Sequence, residues 1–215
     1  MEAARMEQVR LAELVASKLC HDIMGPMTAM MHGVELLKQG DVSDPEAFSL
    51  LENGVAKAHA KLDFYRHALG GALAGDGVSS VSAARAAAEG LYATFKASLD
   101  WRAPEISAPR PFVRITLNLL LIANDCLPKG GVVTLAAGND SLRILAVGER
   151  ARLRPDIAAA LNGEFIEEGV ALNVQPLLTA IMARQAGAEI AMEAEGARVA
   201  FTLKGAPFLG LVEQS

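Results

Sequence analysis

Aromatic residues and cysteines are scarce in this sequence of 215 residues. Aromatics make up 5% of the chain and there are two cysteines, whereas apolar residues make up 52%. Cys20 and Cys126 lie far apart, so we expect two reduced thiols in a cytoplasmic protein rather than a disulfide framework. A high apolar fraction with few aromatics favours helix-rich packing.

Long apolar runs and an excess of basic residues are also missing. No run approaches the ~18 apolar residues that a membrane span needs, and the first seven residues are polar, unlike a signal peptide. The formal net charge of -5 argues against nucleic acid or an anionic membrane as the main partner. Walker A, GxGxxG, HExxH and paired Cys-x-x-Cys patterns are absent, so no common cofactor motif stands out.

The first third of the chain contains two long helical patterns. One runs over about residues 5–38 and stops at Gly40, and the second covers residues 48–69 after a short connection with a Ser43-to-Glu46 capping box. Their apolar positions recur at three- and four-residue spacing: Ala16, Cys20, Ile23, Met27, Met30, Val34 and Leu37, then Phe48, Leu51, Val55, Ala58, Leu62, Tyr65 and Leu69. The pattern predicts an antiparallel helical hairpin, and two copies would bury both seams in a dimeric four-helix bundle.

A Gly- and Ser-rich break at residues 70–80 predicts a domain boundary, with a helical domain at 1–75 and a second domain at 76–215. Beyond the break, helices and strands alternate irregularly, which predicts an α/β sandwich with helices on one face of a mixed sheet. The expected helices cover 82–97, 110–127, 155–162 and 173–186, and the expected strands cover 99–103, 132–136, 142–147, 189–194 and 198–203.

His21 is the most informative residue of the first helix. A lone histidine beside an apolar stripe is most often an ordinary flanking residue, but here Asp22 and Ile23 follow it directly and Pro26 comes five residues later. Proline inside a helix costs about 3 kcal/mol, so its presence one turn past the histidine indicates a local bend or loosening. The residues that share the helix face of His21 are Ser17, Lys18, Met24, Gly25 and Thr28.

The pattern His-Asp-Ile-x-x-Pro resembles the H-box of two-component histidine kinases. The stretch 118–124, followed by 128–133, is similar to the N-box region of the kinase ATPase domain. In that family the second Asn of the box helps to hold the nucleotide-bound magnesium, but this chain has Ile122 there. Residues 146–152 replace the expected Asp-x-Gly-x-Gly adenine loop, and Gly169 alone remains of the Gly-rich phosphate loop. The resemblance therefore implies an ATPase fold without ATP binding.

A hairpin with an H-box joined to a degenerate kinase ATPase domain resembles the ChpT-type histidine phosphotransferases of alphaproteobacteria, over nearly the whole chain. The resemblance implies an α + α/β protein: an N-terminal hairpin that forms a dimeric four-helix bundle and a C-terminal Bergerat-like α/β sandwich. It implies a phosphorelay with a role in cell-cycle regulation. The donor would be the receiver domain of a CckA-like hybrid kinase, and the acceptors would be CtrA-like and CpdR-like response regulators.

The resemblance implies that His21 is the phosphoacceptor. Asp22 would hydrogen-bond the other ring nitrogen or act as a base, and Lys18 would balance phosphoryl charge, although a solvated surface lysine is an equal alternative. We expect receivers to dock over Ser17, Met24, Gly25 and Thr28. The chain would need no cofactor of its own, since the partner receiver would supply Mg²⁺. Two alternatives remain open: an active histidine kinase with unusual nucleotide loops, and a non-catalytic dimeric scaffold that binds receivers.

Overall fold

A computed structural model describes residues 2–40, 44–70, 78–104, 107–138, 140–164 and 170–205. The first part is the predicted antiparallel hairpin, with helix α1 at Glu2–Gln39 and helix α2 at Pro45–Ala68. Pro26 lies inside α1. None of the helices in these ranges is long and apolar enough to span a membrane.

The start of α2 differs from the predicted capping box. Asp44 is the N-cap residue, and its carboxylate accepts a hydrogen bond from the backbone N–H of Glu46 at 2.9 Å. Pro45 occupies the first helical position, where its missing N–H costs nothing. Ser43 lies outside the described residues.

Two glycines let the helices of the hairpin approach closely. A Cβ atom on Gly33 would lie 2.8 Å from the backbone oxygen of Ala47, and a Cβ atom on Gly54 would lie 3.0 Å from the backbone oxygen of Pro26. Neither distance leaves room for a methyl group without movement of the facing helix. These two contacts fix the antiparallel register between α1 and α2.

The second part is an α/β unit with a five-stranded mixed sheet. Its strand order is β2-β4-β5-β7-β6, in which only the β2–β4 pair is parallel. A separate pair of short strands, β1 and β3, is antiparallel. The elements in chain order are β1 Val78–Ser80, α3 Val81–Tyr92, β2 Ala97–Trp101, β3 Ser107–Pro109, α4 Arg110–Asp125, β4 Gly131–Ala137, β5 Ser141–Val147, α5 Pro155–Leu161, α6 Val170–Gln185, β6 Glu189–Glu195 and β7 Arg198–Lys204.

The predicted arrangement of helices on one face of the sheet is confirmed by the burial pattern of the central strands. Leu135 and Ile144 face each other across β4 and β5 and are fully buried, whereas Val132 and Val147 are exposed on the other face. Helix α4 contacts β4, β5 and β7, and α3 and α6 contact the outer strands β2 and β6. Helix α4 is the central helix of this layer, because nearly all of its residues from 112 to 123 are buried.

Several predicted elements of the α/β unit have different bounds in the structure, including two consecutive ones. The helix expected at 82–97 ends at Tyr92, because Thr94 and Phe95 form turn hydrogen bonds to Leu91 and Tyr92. The strand expected at 99–103 runs from Ala97 to Trp101. Strands β1 and β3 were not predicted, since three residues show no periodicity.

The hairpin and the α/β unit share one hydrophobic core. Phe64, Tyr65 and Ala68 near the end of α2 belong to the same buried cluster as the inner residues of α4 and the sheet. Helix α1 also contacts α6. The predicted division between residues 75 and 76 falls within residues 71–77, which lie outside the described residues.

Candidate phosphoacceptor site

His21 and Asp22 are neighbours in α1 but lie in different environments. The side chain of His21 is 87% exposed, whereas that of Asp22 is 18% exposed and faces α2. The predicted docking residues Ser17, Met24 and Thr28 are exposed, and a Cβ atom on Gly25 would meet no atom within 4 Å. The imidazole therefore stands on an open part of the helix surface.

Asp22 connects His21 to both helices of the hairpin. Its Oδ1 lies 3.5 Å from Nδ1 of His21, a long contact that can orient the ring. Its Oδ2 accepts a hydrogen bond from Nζ of Lys18 at 3.0 Å and a second one from the hydroxyl group of Tyr65. Because Lys18 is 18% exposed and pairs with Asp22, its ammonium group points along α1 rather than into solvent.

The surroundings of Asp22 favour its charged form. Burial of the carboxylate opposes ionisation and is the largest single influence, but the Tyr65 hydrogen bond and the charges of Lys18 and Lys61 outweigh it, so the pKa of Asp22 lies below its ordinary value. Burial, together with the hydrogen bond to Asp22, raises the pKa of Tyr65 well above its usual range. Tyr65 is therefore a permanent donor to a permanent carboxylate at neutral pH.

Lys61 makes the second contact between α2 and Asp22. Its Nζ donates a hydrogen bond of 2.6 Å to the backbone oxygen of Asp22. In the sequence, Tyr65 stands out only as an apolar seam residue, and no pattern marks Lys61. Their four-residue spacing places both on one face of α2. However, their contact with Asp22 follows from the hairpin register, which no single-helix pattern contains.

The resemblance to the N-box implies a magnesium ligand at position 122, where this chain has Ile. Ile122 is completely buried in α4 and offers no oxygen atom. Asn118, the first residue of the N-box-like stretch, is also buried, and its side chain bonds within the protein. Its amide nitrogen donates to the backbone oxygens of Ala68 and Arg114 at 3.0 and 2.7 Å, and its oxygen accepts from the amide of Gln175.

Arg114 also contacts the end of α2. Its guanidinium group donates to the backbone oxygens of Ala68 and Leu69 at 3.4 and 3.1 Å. These carbonyls close α2 and have no partner within their own helix. Asn118 and Arg114 of the α/β unit therefore fasten the C-terminal end of the hairpin.

The segment that replaces the adenine loop packs back onto α4. It leaves β5 at Gly148, and the backbone N–H of Arg152 donates to the oxygen of Cys126 at 3.0 Å. Arg154 forms an ion pair of 3.0 Å with Asp156 at the start of α5. Gly169, the remnant of the phosphate loop, lies outside the described residues.

The other histidines are scattered over the hairpin. His32 and His59 are exposed, and His67 is partly exposed. Within the described ranges, no group of three or more His, Cys, Asp and Glu side chains could hold a metal ion.

Comparisons with known proteins agree with this architecture. Residues 81–198 match the family model of the histidine phosphotransferase C-terminal domain. The chain is 32% identical over 198 residues to the protein phosphotransferase ChpT of Brucella abortus (strain 2308), which covers 89% of this chain and 94% of the relative.

A solved structure has the same fold over almost the whole length. The 1.7 Å structure of a bacterial phosphotransferase superposes with a TM-score of 0.83 at 30% identity, covering 91% of this chain and 96% of the other. The Acinetobacter baumannii histidine kinase AdeS is 12% identical, with a TM-score of 0.45. The chain belongs to the histidine phosphotransferase family, and within it to the ChpT type. It is thus a phosphotransferase of two-component signalling.

Proposed function

We propose that His21 is the residue that carries the phosphoryl group. The observation that supports this most is the contrast between the 87% exposed imidazole and the partly buried polar groups that fix Asp22 beside it. A receiver aspartate can reach an imidazole in this position. No other histidine in the described part of the chain has a carboxylate beside its ring.

The proposed reaction transfers a phosphoryl group from a receiver aspartyl phosphate to His21. The carboxylate of Asp22 accepts a hydrogen bond from the Nδ1–H group of His21. The lone pair of Nε2 is then free to attack phosphorus in line with the leaving oxygen. The N–P bond forms as the P–O bond breaks, and the aspartate leaves with the electron pair. The ring keeps its Nδ1 proton, and the ionised Asp22 stabilises the resulting positive charge. The reverse sequence passes the group to the next receiver.

Lys18 has a supporting role in this proposal. Its ion pair with Asp22 leaves a positive charge one turn before His21, where it can offset phosphoryl charge while holding the carboxylate in place. The receiver supplies the acidic pocket and its Mg²⁺, so this chain needs no cofactor of its own.

We expect receivers to dock on the open surface around His21, formed by Ser17, Met24, Gly25 and Thr28. Met24 is 60% exposed and offers adaptable apolar contact. The hydroxyl group of Thr28 already bonds to the backbone oxygen of Met24 at 2.9 Å, so this part of the surface needs no further polar partner.

A homodimer is part of the proposal, because the hairpin exposes a row of large apolar side chains. Phe48, Val55 and Leu62 recur every seven residues along α2 and are 47%, 57% and 57% exposed, and Met27 and Val34 of α1 are 43% and 40% exposed. A contiguous apolar face of this kind is typical of an interaction site. A second copy would cover it and complete a four-helix bundle.

The proposed enzyme accepts phosphate from a receiver and not from ATP. Buried Ile122 cannot bind a hard cation, and the side chain of Asn118 is committed to Ala68, Arg114 and Gln175. The residues at the N-box position therefore do not fit a nucleotide-bound magnesium ion. A cytoplasmic location, a CckA-like donor and CtrA-like and CpdR-like acceptors complete the proposal.

Labelling with radioactive phosphate tests this function. In one sample the full chain is incubated with radiolabelled ATP and Mg²⁺ alone. A second sample also contains a receiver domain that has been phosphorylated by the kinase to which that domain belongs. We expect label only through the receiver and none in His21→Gln, whereas His59→Gln serves as the matched control and is labelled normally. Label from ATP alone would indicate an active kinase, and label from neither source would indicate a scaffold.

A further inference from the structure

Pro26 removes a backbone hydrogen bond from the turn of α1 that follows His21 and Asp22. In an α-helix the N–H of residue 26 bonds to the carbonyl of residue 22, but proline has no N–H. The carbonyl of Asp22 is therefore left without its helical donor, although α1 continues without a break from Glu2 to Gln39. A part-buried carbonyl without a donor is costly, so another group has to supply one.

Lys61 supplies this donor from the other helix. Its Nζ lies 2.6 Å from the Asp22 oxygen, a short distance that is typical of a charge-assisted hydrogen bond. The two residues are 39 positions apart in the chain, so the bond joins α1 to α2. This bond between the two helices of the hairpin replaces the backbone hydrogen bond that α1 lacks at Asp22.

The contact acts on the same residue that orients the imidazole. Lys61 fixes the backbone of Asp22, and Tyr65, one turn further along α2, fixes its side chain. The carbonyl that Lys61 holds belongs to the peptide between Asp22 and Ile23, one residue past His21, so the contact fixes the turn of α1 from which the His21 side chain leaves the helix.

We propose that Lys61 is a positioning residue for phosphotransfer, which holds the carbonyl that Pro26 leaves unpaired and thereby aims His21 at the receiver. This inference rests on the proposed function, because it assumes that His21 accepts the phosphoryl group. Transfer in line requires the attacking nitrogen at a defined angle, and a deviation of the helix at Asp22 changes that angle. Lys61 itself touches neither the imidazole nor the phosphoryl group in this role.

The test compares Lys61→Met in two backgrounds. The single-turnover rate of phosphoryl transfer is measured with a phosphorylated receiver domain that labels the wild-type chain. The receiver concentration is limiting in one series and saturating in the other. In the wild-type background we expect Lys61→Met to lower the transfer rate at saturating receiver concentration by on the order of tenfold. A loss of this size is within that expected for a ~1 Å misplacement of the reacting atoms. The receiver concentration that gives half the maximal rate should change little. Lys61→Arg, which keeps a charged donor, should restore most of the rate.

Pro26→Ala provides the decisive background, because alanine returns an N–H to the Asp22 carbonyl. In Pro26→Ala the further change Lys61→Met should alter the rate by less than about twofold, since the helix then bonds this carbonyl itself. Lys57→Met, an exposed lysine one turn earlier on α2, is the matched control and should transfer at the wild-type rate.

Each result decides between the role of Lys61 and the proposed function. A wild-type chain that takes no phosphate overturns both. A labelled wild type with an unaffected Lys61→Met overturns the positioning role alone. Equal slowing by Lys61→Met in both backgrounds also overturns it, because the lysine would then act independently of the Asp22 carbonyl.

Discussion

Asp22 contacts both His21 and helix α2. Its carboxylate is charged, held by Tyr65 and Lys18, and placed 3.5 Å from the imidazole nitrogen. A residue directly after the histidine does not share its helix face. In the structure Asp22 faces the second helix, while its Oδ1 still lies 3.5 Å from the ring of His21.

We expect Tyr65→Phe to lower the free energy of unfolding by about 2 kcal/mol at pH 7, since it removes a hydrogen bond to a charged group. The pKa of Asp22 is lowered from 3.8, so the contribution of its carboxylate to the free energy of unfolding is present above pH 3.8 and is lost as the pH falls further. The pKa of Tyr65 is raised from 10.0, so its contribution is lost as the pH rises above 10. Urea unfolding should therefore show a constant difference between the two proteins from pH 4 to 10 that shrinks outside this range. A difference that does not vary with pH would contradict the Tyr65–Asp22 bond.

Gly25→Trp should slow phosphotransfer by about tenfold or more, because one clash near the centre of a small transient interface outweighs many changes at its rim. Space for the new side chain exists in the free protein, since a Cβ atom on Gly25 meets nothing within 4 Å. Glu195→Trp, at the exposed end of β6, is the control and should transfer normally. Equal wild-type rates in both variants, measured with a phosphorylated receiver, would show that the docking surface lies elsewhere.

At the scale of elements, the hairpin depends on close approach of its helices. Gly54 faces Pro26 and Met30, and a Cβ atom there would lie 3.0 Å from the Pro26 oxygen and nearer still to the Met30 side chain. The same glycine contact sets the register that brings Lys61 and Tyr65 beside Asp22.

Gly54→Ala is expected to destabilise the protein by about 1–3 kcal/mol through overpacking, even though alanine favours a helix. Gly90→Ala is the matched control, because Gly90 also lies within a helix but has open space around it. That variant should gain about 1 kcal/mol from helix propensity alone. Thermal unfolding of both variants measures the contrast, and a stabilised Gly54→Ala would show that the helices are not in close contact there.

The hairpin and most of the α/β unit could be predicted from the sequence because their patterns are long. Periodicity indicated helices over 5–38 and 48–69, and the structure has Glu2–Gln39 and Pro45–Ala68. His21 was recognisable by its H-box context. Lys61 was not, because its contact depends on the distance between two helices, which Gly33 and Gly54 set. The commitment of Asn118 to the end of α2 was hidden for the same reason: its partners are 50 and 57 residues away.

At the scale of the whole molecule, the exposed apolar row on the hairpin predicts a dimer. Val55→Glu places a charge in the middle of this row, where a partner copy would have to bury it without a counter-charge. We expect the variant to be monomeric by light scattering at concentrations where the wild type is a dimer. Val147→Glu is the control, since Val147 is also an exposed valine but lies on the sheet. A monomeric wild type, or a dimeric Val55→Glu, would refute this interface.

We expect that restoring the missing motif residues would not turn this chain into a kinase. Asn118 and Arg114 hold the last carbonyls of α2, so the hairpin cannot pivot about that end without leaving buried polar groups unpaired. An autokinase has to carry a nucleotide on one unit to a histidine on the other, and such travel needs a hinge. Ile122→Asn would restore a metal ligand but would leave the contacts of Arg114 and Asn118 with the end of α2 in place. We therefore expect the phosphoryl group to reach His21 from a bound receiver domain, as in the proposed function.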